Sequence, residues 1–249
     1  MEKPLIRYTI GGKSTSDLSI NILNISIKKI QKIFKDKVDY AICYNNLDMG
    51  FIEKINNGFG NKFYKIKIID QLKFKNSLPY RPIDVSWKLY PPRLRLNAHE
   101  IFIDNDIIIE RLPDQVSDFL KEDKSFFFTE GLNKNNFGNF QYWQNNIKFN
   151  SGFFGLPPNF DFRKSLIEKM KKQMKNFNQF KWIDQYDEQG IVGCIILEQK
   201  NIKEIKLDCV GIFENNKITK GLCGYHFVKS NIGKNKSWMD YLNQRCTIL

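Results

Sequence analysis

Ile101-Phe102-Ile103-Asp104-Asn105-Asp106-Ile107-Ile108-Ile109 is the stretch on which the reading of this chain turns. Two apolar runs flank one short polar step, and Asp104 and Asp106 are its only ionised residues. The first run reads as a buried strand. In extended chain, residues i and i+2 point to the same side, so both carboxylates are expected to face one point. Two unpaired charges at the end of a buried strand are costly unless a cation neutralises them. Carboxylate oxygens suit Mg²⁺ or Mn²⁺, ions that share their shell with substrate phosphates. The alternative is a solvated turn in which one Asp caps a helix, and the apolar runs on both sides count against it.

Upstream, Leu5 to Ile10 reads as a strand closed by Gly11-Gly12. Ser16 or Asp17 can cap the next helix, whose Ile20, Leu23, Ile27, Ile30 and Phe34 recur at helical spacing. Asp39 to Tyr44 is a second strand, ending at Asn45-Asn46. Phe51 to Asn57 reads as a helix and Phe63 to Ile69 as a strand. This alternation predicts α/β layers, a Rossmann-like central sheet flanked by helices. In such sheets the ligand sits beyond the carboxyl ends of the strands, which is where Asp104 lies. Downstream, Phe126 to Phe128 is another strand and residues 131 to 146 an Asn-rich loop. Ser165 to Phe177 is an amphipathic helix with a Lys-rich outer face, and a last helix starts at Ser237. No internal repeat or domain-length linker interrupts residues 1–249, which are expected to form a single domain.

The 249 residues carry a net charge of +12, and 42% of them are hydrophobic. That apolar content supports a packed core and excludes disorder. The basic balance permits phosphate-bearing partners, nucleic acid or an anionic membrane. Lys is enriched together with Asn and Ile along the whole chain, so the charge reads as compositional bias. Cys43, Cys194, Cys209, Cys223 and Cys246 are odd in number and lack zinc or redox spacing, which points to a reducing compartment. No signal peptide or transmembrane run is seen. A cytoplasmic protein is expected, with peripheral contact to a membrane surface open.

Four ordered segments resemble the GT-A glycosyltransferases, in particular the retaining glycogenin-like and lipopolysaccharide galactosyltransferase-like group. They are Asp104-Asn105-Asp106, Asn150-Ser151-Gly152, Asp187-Glu188-Gln189, and His226 with Gly233-Lys234-Asn235-Lys236-Ser237-Trp238. His226 and Gly233 stand further apart than in that group's pattern, and Ser237 replaces its usual Pro. Asp187-Glu188-Gln189 also resembles the acidic motif of the blood-group-type transferases.

The resemblance implies a metal-dependent transfer of a sugar from a nucleotide diphosphate donor, a UDP-sugar, with retention. The acceptor it implies is a glycan, a lipid-linked saccharide or a glycoprotein. Residues 1–110 would form mainly the nucleotide-binding half, and residues 111–249 the acceptor half and a C-terminal closing segment. Asp104, Asp106 and His226 would hold Mn²⁺ or Mg²⁺. Tyr8, Thr9, Gly11, Lys88, Arg93, Asn105, Gly233 and Lys236 would hold the nucleotide sugar, with Tyr8 stacking on the base. Asp187 and Glu188 would be the catalytic acids. Asn150, Ser151, Gly152, Gln189 and Trp238 would contact the sugar or acceptor, with Trp143 a further platform. His99 reads as structural. Nucleic acid is not an expected partner.

Two rival readings come from other classes. Gly11-Gly12-Lys13-Ser14 follows a strand and ends like the phosphate-binding loop of an NTPase, but Arg7 stands where that motif needs its first Gly. A basic nucleic-acid-binding protein fits the charge, without any recognisable motif.

Overall fold

The structure is a computed structural model, and it describes residues 2–11, 15–59, 66–134, 136–143, 147–177, 182, 185–212 and 221–227. The first half alternates β1 (Leu5–Gly11), α1 (Asp17–Phe34), β2 (Asp39–Asn45), α2 (Met49–Phe59), β3 (Ile66–Asp70) and β4 (Glu100–Asp104). It continues through β5 (Ile107–Ile109), α3 (Asp114–Phe119), β6 (Phe126–Glu130), β7 (Phe149–Leu156), α4 (Phe162–Phe177) and α5 (Gln185–Ile196). Three short strands follow: β8 (Ile202–Ile205), β9 (Val210–Ile212) and β10 (Gly224–His226).

Seven strands form the main sheet in the order β3-β2-β1-β4-β7-β6-β8. β1 pairs in parallel with β2 and β4, and β2 with β3, as the strand-helix alternation predicts. β7 then runs antiparallel to both β4 and β6, so the sheet is mixed. β5 leaves this sheet and joins β10 and β9 in a small second sheet.

Alternation along the strands builds one core on each face. Ile101 and Ile103 of β4 join Ile6, Tyr8 and Ile10 of β1 against the Ile20, Leu23, Ile27 and Ile30 stripe of α1. Phe102 turns to the opposite face and stacks on Phe154 at 4.5 Å, over Leu166 of α4 and Ile191 and Ile195 of α5. α1 starts where Ser16 accepts a hydrogen bond from the Ser19 amide. Among the described residues no helix is long and apolar enough to cross a membrane.

Candidate active site

β4 delivers Asp104 at its carboxyl end, and residues 105 and 106 turn before β5 begins. The two acids therefore meet across a turn, not along one extended strand. β10 pairs antiparallel with β5, with His226 opposite Ile107. The Phe227 amide also donates to the Asp106 carbonyl at 2.9 Å. This register places an imidazole beside the acids. One ligand atom each from Asp104, Asp106 and His226 lies within 4.8 Å of the others, and His226 Nε2 is 3.4 Å from Asp106 Oδ1. Gly152 makes room for the ring: a Cβ there would lie 2.7 Å from His226 Cε1 and 2.8 Å from Asn150 Oδ1.

A second cluster adjoins the first. Lys88 is buried, and its ammonium lies 2.7 Å from Asp104 Oδ1 and 3.5 Å from Glu188 Oε1. It also donates to the Ser151 carbonyl at 3.1 Å. The Ser151 hydroxyl donates to Glu188 Oε2 at 3.0 Å. Lys88 is itself held from behind, because Arg7 donates to its carbonyl at 2.9 Å and to that of Pro91 at 2.7 Å. Arg7 is fully buried and paired with Glu100 at 3.4 Å.

The electrostatics follow from burial and pairing. Burial pushes the Glu188 carboxyl up to about 7, against the pull of Lys88. Burial also raises Asp104, again opposed by Lys88. For Lys88 burial acts to neutralise the ammonium, but Asp104 and Glu188 outweigh it and hold the group above the ordinary Lys value. His226 behaves likewise: burial lowers it, and Asp106 and Asp104 carry it above the usual imidazole range.

Both clusters open into one cleft of about 600 Å³ at the carboxyl ends of β1, β2 and β4. Of the residues singled out in the sequence, the structure brings Thr9, Gly11, Lys88, Asp104, Asn105, Asp106, Asn150, Ser151, Gly152, Glu188, Gln189 and His226 to this cleft. Gln189 is oriented by donating to the Asn136 carbonyl at 2.7 Å. Gly233, Lys236 and Trp238 lie outside the described residues, as do Gly12, Lys13 and Ser14 and the helix expected from Ser237. Nothing is described of the Trp143 side chain.

Three expectations are corrected. Tyr8 does not offer its ring to a base. It is 1% exposed, points with Ile6 and Ile10 toward α1, and bonds the Ser26 hydroxyl at 3.0 Å. Arg93 does not reach the cleft. It donates to the Pro157 carbonyl at 2.7 Å and the Phe160 carbonyl at 3.1 Å, and it pairs with buried Glu100 at 3.5 Å. Asp187 turns away from Glu188 on the first turn of α5. Its oxygens accept from the Asn139 amide at 2.8 Å and the Asn139 side chain at 3.2 Å, anchoring the 138–143 turn. His99 is structural as expected, packed edge-on to Phe119 at 4.7 Å.

Residues missed in the sequence also line the cleft, among them Thr15, Asn45, Asp84, Val85 and Tyr186. Asn45 stands at the carboxyl end of a parallel strand, which was the available signal.

No protein-family model matches the sequence, and no curated protein matches it. Solved structures do match its fold. The galactosyltransferase LgtC, in complex with donor and acceptor sugar analogues, superposes with a TM-score of 0.63 at 12% identity, covering 98% of this chain and 96% of that one. The bifunctional glycosyltransferase WbbM gives 0.63 at 10% identity, with 98% of this chain covering 51% of that one. Mouse xyloside xylosyltransferase 1, in its apo form, gives 0.57 at 9% identity over 92% of this chain and 99% of that one. This chain therefore has the GT-A glycosyltransferase fold that its sequence led us to expect, a mixed central sheet flanked by helices, with Asp104 at the carboxyl end of the central strand β4.

Proposed function

We propose that this chain is a metal-dependent glycosyltransferase that moves a sugar from a nucleoside diphosphate donor, a UDP-sugar, to a saccharide acceptor, with retention. The acceptor is a glycan, a lipid-linked saccharide or a glycoprotein glycan. The observation that carries this reading is the convergence of Asp104, Asp106 and His226 in one cleft with Glu188 and Lys88.

Two carboxylates and one imidazole fit Mn²⁺ well, and Mg²⁺ through its preference for oxygen. Such an ion, when bound, neutralises charge on a departing diphosphate. The chain's own residues do the rest. Asn105, Thr9, Gly11, Asn150, Ser151, Gly152 and Gln189 line the cleft; the first three would hold the donor nucleotide and the other four the sugar or acceptor. Ser151 and Lys88 fix Glu188 from two directions, so its carboxylate approaches a sugar in one geometry. Glu188 is the one acid of the 187–188 pair that faces the cleft. As a carboxylate it can stabilise positive charge at the anomeric carbon, or attack that carbon as its bond to the diphosphate breaks to give a transient glycosyl ester; the acceptor hydroxyl then displaces the carboxylate, and two inversions give retention. Lys88 works against the burial that favours the neutral form of that carboxyl. Residues 1–110 then supply the nucleotide half and residues 111–249 the acceptor half.

The test is hydrolysis and transfer with a panel of nucleotide sugars, with and without Mn²⁺. Metal-dependent turnover of at least one UDP-sugar is expected, and Asp106→Ala should abolish it with thermal unfolding unchanged. Turnover that survives both chelation and Asp106→Ala would reject the reading. The anomeric configuration of the first product, followed by NMR, checks retention.

A further inference from the structure

Asn45 closes β2 opposite Gly11, and it is 3% exposed at the end of the cleft formed by β1 and β2. Behind it, Gln71 is fully buried. The Gln71 side-chain nitrogen donates to two backbone carbonyls, Trp87 O at 2.7 Å and Tyr90 O at 2.8 Å. Two carbonyl partners demand the NH₂ on that side, so Gln71 must present its oxygen to Asn45. Asn45 then has to donate its own NH₂, which it does at 2.9 Å. The amide orientation is thereby relayed, and the Asn45 carbonyl oxygen is left as an acceptor. That oxygen is buried and has no hydrogen-bond partner among the described residues. The Thr9 and Thr15 hydroxyls, which line the same cleft, are buried and likewise have no partner among the described residues.

A buried amide oxygen without a donor is costly, and such orphans call for an explanation. We propose that Asn45, locked as an acceptor by Gln71, selects the donor's nucleobase by accepting its ring imide N–H. A hydroxyl can donate to a carbonyl on either side of such an imide. One fixed acceptor with two hydroxyls therefore matches the acceptor–donor–acceptor edge of a pyrimidinedione, that is, of uracil. Cytosine has the same size but presents an acceptor in place of the N–H. Acceptor would then face acceptor, and the relay through Gln71 prevents Asn45 from turning its NH₂ forward. This inference rests on the transferase reading and adds a residue and a mechanism for choosing the base.

The experiment measures binding of UDP, CDP and N3-methyl-UDP by calorimetry in Mn²⁺. Wild type is expected to bind UDP at least about tenfold more tightly than either of the others, the margin a mispaired buried polar group gives. Asn45→Leu should bring the three within a few-fold of one another, with its fold checked by circular dichroism. The methylated ligand deletes the same hydrogen bond with the protein intact, so the idea stays exposed should Asn45→Leu not fold. Equal binding of UDP and N3-methyl-UDP by wild type would overturn the role of Asn45 while leaving the transferase reading in place. If none of the three diphosphates binds, both fall.

Discussion

Replacing Glu188 by Gln gives a test whose size and sign both come from the site. The residue is 2% exposed, and burial lifts its carboxyl from 4.5 to about 7. A rise of that size corresponds to about 3 kcal/mol of penalty on the ionised form. For an acid raised in the folded state the native protein binds the extra proton between those two values. Stability from this group therefore falls as pH climbs through that window, and the full penalty is present above about 7. Below 4.5 both states are protonated and the penalty vanishes. Gln cannot ionise, so Glu188→Gln should gain stability at pH 8 relative to pH 5. Lys88 loses one of its two carboxylate partners in the variant, which offsets part of the gain. A net relative gain of about 1–3 kcal/mol is expected between the two pH values. Urea unfolding of both proteins at pH 5 and pH 8, without metal, measures it. Groups away from the site titrate alike in the two proteins and cancel in the difference. The same variant should lose turnover far more than donor affinity. An identical stability difference at both pH values, or undiminished turnover, would refute the placement of Glu188 as a buried, strained acid facing the sugar.

Gly152→Ala introduces a methyl group 2.7 Å from His226 Cε1 and should displace the ring, weakening Mn²⁺ binding about tenfold or more; a metal titration checks this. Arg7→Met leaves Glu100 without one of its buried partners and frees the carbonyls of Lys88 and Pro91. Loss of about 3–5 kcal/mol is expected in chemical denaturation, with Lys88 less firmly held and turnover reduced.

Much of this site was legible because it lies where a parallel strand ends. Asp104 and Asp106 were found from charge set between apolar runs, although a turn brings them together where extended chain was expected. His226 came from ordered resemblance alone, since nothing in local sequence tells that β10 will pair with β5. Tyr8 was misread although its parity with Ile6 and Ile10 was visible: residues two apart on one strand share a face, and that face carries α1. Asp187 and Glu188 could not be told apart in sequence. Neighbours on a helix point about 100° apart, so only one could meet the cleft, and which one depends on how α5 packs. Arg93 was assigned to the nucleotide sugar by resemblance, because the burial of Glu100, its actual partner, follows from the core and not from any motif. Asn45 was seen only as the end of a strand, because the orphaned oxygen depends on Gln71 and on two carbonyls far along the chain.

The pairing of Ile107 with His226 has a consequence for how this protein tolerates change. A slip of one residue along that ladder would turn the imidazole to the opposite face, and a slip of two would carry it roughly 7 Å past the acids. Fidelity of alignment and assembly of the Asp104, Asp106 and His226 cluster are thus a single property, written into three isoleucines that do not line the cleft. Ile107, Ile108 and Ile109 are also fully buried, so damage to any of them should cost stability and the alignment of His226 together.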